Sequence, residues 1–225
     1  MKSASVIAIT ESVKDFIITG NEICVSDQHK IHVIRYGIER VSSEKYFRKH
    51  GNTLNILCIS RLTLQKDLPT LLEAIRLLKQ KFSLSLTIVG RGHLLDELTS
   101  IAHEYEIDSC ITWIEKTKDV NNLYRNADLF ILTSKYEGLG LVLLEAMVNN
   151  LPIIASDAKA IVEVLGENYS GLFPVGDAIS LVEKISDIVQ NDRFSELNSQ
   201  AQSRLLLFDV EKMTRAVLLV YGKVY

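Results

Sequence analysis

The chain has 225 residues, of which 47% are hydrophobic and 24% are charged, and its formal net charge is −3. This length and composition are typical of a globular protein with a sizeable core. Because neither charge sign dominates and no long run of Lys or Arg occurs, binding to nucleic acid through bulk charge is disfavoured.

The N-terminal region, residues 1–50, predicts a small strand–helix–strand unit followed by a polar linker. The strand SVIAIT, the helix ESVKDFIITG and the strand KIHVIR follow one another here. Such a unit is too small to bury a core of its own. It therefore packs on the rest of the chain, pairs with another chain, or is the remnant of a larger domain.

The next region, residues 51–208, predicts alternating strands and helices. Short apolar runs rich in β-formers predict six strands, at 54–60, 84–90, 110–115, 128–134, 151–157 and 170–175. Segments with helical spacing lie between them, such as 68–82, whose start is indicated by Asp67 and Pro69. Strands joined by helices imply right-handed crossovers. We therefore predict an α/β fold, a Rossmann-like parallel sheet flanked by helices, with a ligand crevice at the carboxyl ends of the strands.

The C-terminal part of the chain is helical by pattern. Segments at about 177–190 and 193–206 close the α/β region. The tail, residues 209–225, predicts one amphipathic helix with Met213, Val217, Val220 and Val224 along one face.

The cysteines and the N-terminus indicate a reducing, cytoplasmic location. Cys24, Cys58 and Cys110 are an odd number with no CxxC spacing. We expect Cys58 and Cys110, which lie in apolar runs, to be small buried hydrophobes. The first ten residues carry too short an apolar run for a signal peptide, and no stretch approaches the roughly 20 apolar residues of a membrane helix.

Two glutamates eight positions apart stand out in SKYEGLGLVLLEAM, residues 134–147. Glu137 follows a predicted strand and so lies at the edge of the crevice. The turn Gly138-Leu139-Gly140 lets the backbone approach a ligand, and the helix that begins there directs its unpaired N–H groups to the same place.

Glu145 is surrounded by apolar residues of that helix, where a charge without partners is costly. Sugar hydroxyls would be suitable donors to its carboxylate. The alternative is an ordinary capped helix, in which Glu137 stabilises the helix N-terminus and Glu145 lies on a solvent-exposed face.

Arg61 and Lys66 lie on the connection between the first strand of this region and its helix. A cation there can meet an anion near a helix N-terminus, and Arg adds a bidentate fork for phosphate oxygens. The alternative is a pair of solvated loop cations. Downstream, the glycines of VGRGHLLDEL predict a tight turn rather than a dinucleotide fingerprint, and the five histidines show no metal-binding spacing.

Taken in order, these segments resemble the nucleotide-sugar-binding half of a GT-B glycosyltransferase of the retaining family 4 (glycosyl transferases group 1). The matching segments are SRLTLQKD, LTIVGRG, the region that contains Glu137 and Glu145, and ENYSGLFPVGD. The resemblance assigns 1–50 to the end of an N-terminal acceptor domain plus linker, 51–208 to the nucleotide-sugar-binding domain, and 209–225 to a helix that crosses back.

The resemblance also implies roles for residues. Arg61 and Lys66 would hold the diphosphate of a UDP- or GDP-sugar, supplying the positive charge that a metal gives elsewhere, so no metal or other cofactor is expected. Glu137 and the turn Gly138-Leu139-Gly140 would orient the donor sugar. Glu145 would bind the ribose hydroxyls, and the backbone near Ile114 would contact the base.

The sequence departs from the family pattern at several usual glycines, including Asp67, Glu115 and Asn150. Most of the acceptor domain is also absent from the chain. We therefore expect the donor-binding part of a hexosyltransferase acting with retention on a polysaccharide or lipid-linked acceptor, incomplete alone and with membrane contact only through the missing half. The alternatives are a non-catalytic subunit of a split transferase, whose partner chain supplies the acceptor domain, and a sugar-nucleotide epimerase-like protein.

Overall fold

A computed structural model describes residues 5–20, 25–39 and 53–222. Its strands are β1 Val6–Ala8, β2 Ile31–Val33, β3 Leu54–Ile59, β4 Leu84–Val89, β5 Ile111–Ile114, β6 Leu129–Leu132, β7 Ile153–Ser156 and β8 Leu172–Phe173. Its α-helices are α1 Glu11–Thr19, α2 Leu68–Leu78, α3 Leu95–Glu104, α4 Val120–Asn126, α5 Leu141–Val148, α6 Lys159–Leu165, α7 Ala178–Gln190, α8 Phe194–Leu205 and α9 Val210–Tyr221.

Within these residues, β3 to β8 form one parallel sheet in the order β5-β4-β3-β6-β7-β8. From β3 the chain adds strands outward on one side, and from β6 it adds them outward on the other. The order therefore reverses between β3 and β6, where Ile56 is paired with Leu129. In doubly wound sheets the loops diverge at this point and leave a crevice.

The core is the sheet itself, buried on both faces. Every residue of β6 and β7 is buried, which explains why these strands read as continuous apolar runs rather than as alternating ones. Helix α2 buries seven of its residues, among them Leu71, Leu72 and Ile75, and contacts α3 and α7. The predicted α/β fold and its six strands are confirmed.

The cysteine predictions are only partly confirmed. Cys58 is fully buried in β3, and burial raises the pKa of its thiol to about 12, so it is an inert packing residue. Cys110 lies one residue before β5, at the end of a 3₁₀ helix, and packs against the core while only half-buried. Cys24 lies outside the described residues.

The N-terminal unit packs on the rest of the chain. Strands β1 and β2 form a separate two-stranded parallel sheet, and α1 contacts α6. The carboxylate of Glu163 on α6 accepts hydrogen bonds from the backbone N–H groups of Glu11 (3.0 Å) and Ser12 (3.2 Å), which are otherwise unpaired at the start of α1. Glu163 therefore ties the unit to the main domain.

The C-terminal helix α9 returns to the same unit. The N–H of Ile38 donates to the carbonyl of Phe208 (2.9 Å), and the N–H of Gly37 donates to the sulfur of Met213 (3.1 Å). The predicted apolar face is visible as half-buried Met213 and Val217 and buried Val220, whereas Val224 lies outside the described residues. Across those residues, no helix combines the length and the apolar character needed to span a membrane.

We expect Glu163→Ala to loosen α1 selectively, because two helix N-terminal N–H groups lose their acceptor at a cost of about 1 kcal/mol. Amide hydrogen exchange should become about fivefold faster across α1 and stay unchanged in β3. The control is Glu167→Ala, which removes an exposed carboxylate close to the same contact. Equal exchange in both variants would contradict the role of Glu163.

Candidate functional site

The loops that follow β3 and β6 meet in the crevice where the strand order reverses. Three hydrogen bonds join them: Thr133 Oγ1 to the Lys66 carbonyl (2.8 Å), the Lys135 N–H to the Gln65 carbonyl (2.8 Å), and Gln65 Nε2 to the Tyr136 carbonyl (2.8 Å). Because they bridge segments about 70 residues apart, they hold the two loops as one unit.

Lys66 and Glu137 form a largely buried ion pair between these two loops. Only 10% of the Lys66 side chain and 7% of the Glu137 side chain are exposed, and the Ser134 hydroxyl donates to the same Glu137 oxygen, Oε1, at 2.8 Å. The sequence placed these two residues at different ends of a ligand. In the structure they are in direct contact and offset each other's charge.

Arg61 lies on the rim of the crevice. It is exposed, and its Nη2 donates to Gln65 Oε1 at 3.2 Å. Since Gln65 also holds the β6 loop through its Nε2, Arg61 is attached to the same bridge while its guanidinium remains open to solvent.

Glu145 is half-buried on α5. Its Oε2 accepts a hydrogen bond of 2.8 Å from the hydroxyl of Tyr124, which is only 1% exposed. Glu145 is therefore not fully solvent-facing: it is half-buried and has a hydrogen-bond partner from within the fold. Sequence reasoning missed Tyr124. The only feature that could have indicated it was a tyrosine within the predicted short helix 119–126.

The turn Gly138-Leu139-Gly140 is fixed from the N-terminal unit. The Thr10 hydroxyl donates to the Gly138 carbonyl at 2.8 Å and accepts from the N–H of Val13, the first-turn N–H that it caps. Because a trans peptide points its C=O and N–H in opposite directions, Thr10 also sets the direction of the Leu139 N–H. Gly140 has φ +77°, a left-handed conformation that suits glycine at the start of α5.

Two usual family glycines are replaced at left-handed positions. Asp67 has φ 49° and Asn150 has φ 54°, and Asp and Asn are the residues that tolerate this conformation best after glycine. The Asp67 carboxylate also accepts from the Thr70 hydroxyl (2.8 Å) and pairs with Lys135 (3.3 Å). The loop shape that a glycine would allow is therefore kept.

The glycine turn after β4 is a structural one. A Cβ on Gly90 or Gly92 would overlap the backbone carbonyl of Ser60 or Leu62, respectively, so the turn packs directly on the Arg61 loop. The Gly90 N–H donates to the Ile114 carbonyl at 2.8 Å. One lone pair of that carbonyl oxygen is therefore occupied, and the other remains available at the predicted base contact. In the described part of the chain, no group of three or more His, Cys, Asp or Glu is placed to hold a metal ion.

A family model for glycosyl transferases group 1 matches residues 42–204. The chain belongs to this family. It is 32% identical over 177 residues to the amylovoran biosynthesis glycosyltransferase AmsK of Erwinia amylovora, a match that covers 72% of this chain and 43% of AmsK. It is 28% identical over 230 residues to the N,N'-diacetylbacillosaminyl-diphospho-undecaprenol alpha-1,3-N-acetylgalactosaminyltransferase of Campylobacter jejuni, covering 97% of this chain and 60% of that enzyme.

Solved structures give the fold. The Anabaena protein Alr3699/HepE in complex with UDP-glucose superposes with a TM-score of 0.86 at 20% identity, over 98% of this chain and 64% of that one. Staphylococcus aureus TarM, in complex with UDP and other ligands, superposes with a TM-score of 0.84 at 22% identity, over 97% and 44%. This chain therefore has part of a GT-B fold, and it spans about half the length of the curated relatives it matches.

We expect Glu137→Ala to destabilise the fold by about 3 kcal/mol, because it leaves the buried Lys66 cation without its counter-charge. Urea unfolding followed by circular dichroism measures the change. Glu115→Ala is the control: it breaks the exposed Arg91–Glu115 pair (2.8 Å) at another edge of the crevice, and such pairs contribute little. A loss no larger than that of the control would contradict the buried pair.

Proposed function

We propose that the chain is the donor-binding part of a retaining family 4 glycosyltransferase that uses a UDP- or GDP-sugar. The observation that carries this proposal is the Lys66–Glu137 pair, buried at the switch point of the sheet with Arg61 on the adjoining rim. A cation and a carboxylate side by side suit a ligand that presents a phosphate next to sugar hydroxyls.

The two cations would bind the donor diphosphate. Lys66 is held at the end of a 3₁₀ turn by the Thr133–Lys66 hydrogen bond, and the exposed Arg61 offers a bidentate guanidinium on the same loop. In the free protein the Lys66 ammonium is paired with the Glu137 carboxylate. A diphosphate would compete for the Lys66 ammonium, and the Glu137 carboxylate would then accept hydrogen bonds from the donor sugar.

The remaining proposed contacts assign the sugar, the ribose and the base of the donor to different elements around the crevice. Glu137 and the N–H groups of the turn Gly138-Leu139-Gly140 would orient the sugar, and Glu145 on the following helix would bind the ribose. Ile114, at the end of the edge strand β5, would contact the base through its backbone. The roles for the base, the diphosphate and the sugar follow the order of the strands across the crevice, from β5 through β3 to β6.

The proposed reaction is transfer of the sugar with its anomeric configuration kept. The bond between the anomeric carbon and the diphosphate oxygen breaks, a new bond forms to an acceptor hydroxyl, and the hydroxyl proton passes to the departing diphosphate. Arg61 and Lys66 would stabilise the negative charge that develops on that leaving group, which is the step where fixed positive charge accelerates most. We propose that these cations take the place of a metal cofactor.

The acceptor side is proposed from the relatives. One named relative belongs to amylovoran biosynthesis and another transfers to a diphospho-undecaprenol carrier, so we propose a polysaccharide or lipid-linked acceptor met in the cytoplasm. The part of those relatives that this chain does not span would supply the acceptor half of the crevice.

A second candidate is a nucleotide-sugar-binding subunit that completes a crevice formed with another chain. The exposed apolar side chains of the N-terminal unit and α9, including Phe16, Leu218 and Leu219, favour this possibility. Transfer by the chain alone would exclude it, whereas transfer only after addition of a chain that carries an acceptor domain would support it.

Titration calorimetry with UDP, GDP and their hexose conjugates tests the leading proposal. We expect binding of at least one nucleotide, and about tenfold or greater weakening in Glu145→Ala because the ribose hydroxyls lose a charged acceptor. The control is Glu183→Ala, which removes an exposed carboxylate on α7. No binding at millimolar ligand, or no weakening in Glu145→Ala, would overturn the proposal.

The phosphate assignment has its own test. We expect Arg61→Ala to weaken a nucleoside diphosphate by about tenfold while leaving the monophosphate nearly unchanged, because a charge-assisted contact to the outer phosphate is lost. Binding should not change when EDTA is added. Arg215→Ala, which removes an exposed arginine on α9, serves as the control. Equal weakening of both nucleotides, or loss of binding in EDTA, would contradict the assignment.

A further inference from the structure

The two oxygens of the Glu145 carboxylate have different surroundings. Oε2 accepts the 2.8 Å hydrogen bond from the Tyr124 hydroxyl. Oε1 has no hydrogen-bond partner among residues 5–20, 25–39 and 53–222. A half-buried carboxylate is thus anchored on its inner side and left open on the other.

Tyr124 is held firmly enough to act as that anchor. Its side chain is 1% exposed and its ring lies 6.0 Å, centroid to centroid, from the ring of Phe130 in β6. The short helix that carries it is capped by Asp119, whose carboxylate accepts from the N–H of Asn122 at 3.1 Å. A buried aromatic ring with packed neighbours has little freedom to move its hydroxyl.

The hydroxyl is a permanent donor. Burial, and then the neighbouring Glu145 carboxylate, raise the pKa of Tyr124 well above its usual value. The proton therefore stays on the tyrosine at neutral pH. The same hydroxyl is 3.5 Å from the Val142 carbonyl, so the short contact to Glu145 is its principal hydrogen bond.

We infer that Tyr124 is a positioning residue for the nucleotide ribose: its hydroxyl fixes the Glu145 carboxylate so that the open oxygen faces the two vicinal hydroxyls. This inference rests on the proposed function and extends it to a residue buried behind the site. Tyr124 does not touch the ligand. It holds the Glu145 side chain in one orientation before the ligand binds. The conformational entropy of that side chain is then not lost on binding.

Glu145 is a better acceptor when it is anchored in this way. The vicinal 2′- and 3′-hydroxyls of a ribose are two donors at fixed separation, and a carboxylate meets both only in a narrow range of orientations. Without Tyr124 the group turns freely and its inner oxygen lacks a donor in a half-buried place. The effect is confined to ligands that carry those hydroxyls.

The test compares a nucleoside diphosphate with its 2′,3′-dideoxy analogue, using whichever of UDP or GDP binds the wild-type chain. Tyr124→Phe keeps the ring and its packing but removes the donor. We expect it to weaken the diphosphate by about tenfold, the size of one hydrogen bond to a charged group, and to leave the dideoxy analogue unchanged. In a Glu145→Ala background the same substitution should have no further effect.

Tyr169→Phe is the matched control. Tyr169 is also buried, and its hydroxyl donates to the Ile153 carbonyl at 2.8 Å, so this variant loses a comparable hydrogen bond away from the crevice. We expect it to lower the thermal midpoint without changing the ratio of the two affinities. Thermal unfolding of each variant checks that Tyr124→Phe is folded.

The outcomes separate the two proposals. If the wild-type chain binds neither nucleotide, the proposed function fails. If it binds and Glu145→Ala weakens binding, but Tyr124→Phe leaves the ratio at its wild-type value or lowers both affinities equally, the proposed function stands and the role of Tyr124 is overturned. A selective loss that disappears in the Glu145→Ala background supports it.

Discussion

The pairing of β3 with β6 is the contact on which the crevice depends. These strands are separated in the chain by two further strands and three helices, yet they lie side by side in the sheet, with Ile56 opposite Leu129. Because both strands are parallel, both following loops leave from the same edge. The crossovers after them run in opposite directions, so the two loops diverge and leave a crevice between them. Lys66 and Glu137 meet there because the sheet is ordered in this way.

The polar groups below the crevice hold this geometry with hydroxyls rather than with further charges. Thr133, Ser134 and Ser156 are all buried, and each hydroxyl has a defined acceptor: the Lys66 carbonyl, Glu137 Oε1 and the Ser134 carbonyl, respectively. Buried polar groups that are fully hydrogen-bonded make a site rigid. A ligand would therefore meet a preformed floor, with the Lys66–Glu137 pair as the part that must rearrange.

Much of the fold could be predicted from the sequence because its signals are local. Apolar runs, helical spacing and the Asp67–Pro69 start belong to single segments, and the six strands follow from them. The contact between Lys66 and Glu137 could not be predicted, since it depends on which strands become neighbours. Tyr124 and Thr10 were missed for a related reason: a hydroxyl shows no preference in the sequence for an acceptor on another element.

Cys110 and Glu145 show the limit of reading one segment at a time. Both lie in apolar surroundings in the sequence, but Cys110 is at the edge of the core and Glu145 is half-buried. Their environments are set by elements distant in the chain: the 3₁₀ turn before β5 lies at the sheet edge, and α4 brings a tyrosine under α5. Sequence periodicity predicts which face of a helix or strand is buried. Only the packed structure shows which residues that face contacts.

The hydrogen bond from Thr10 to Gly138 bears on how such proteins diversify. It joins residues 5–39 to the turn that starts α5, so the α/β region does not pack independently of the N-terminal unit. Recombination that exchanged everything before residue 40 between family members would replace Thr10 while keeping the turn it contacts. Exchanges that keep a hydroxyl at this position conserve the turn, which restricts the halves that can be combined.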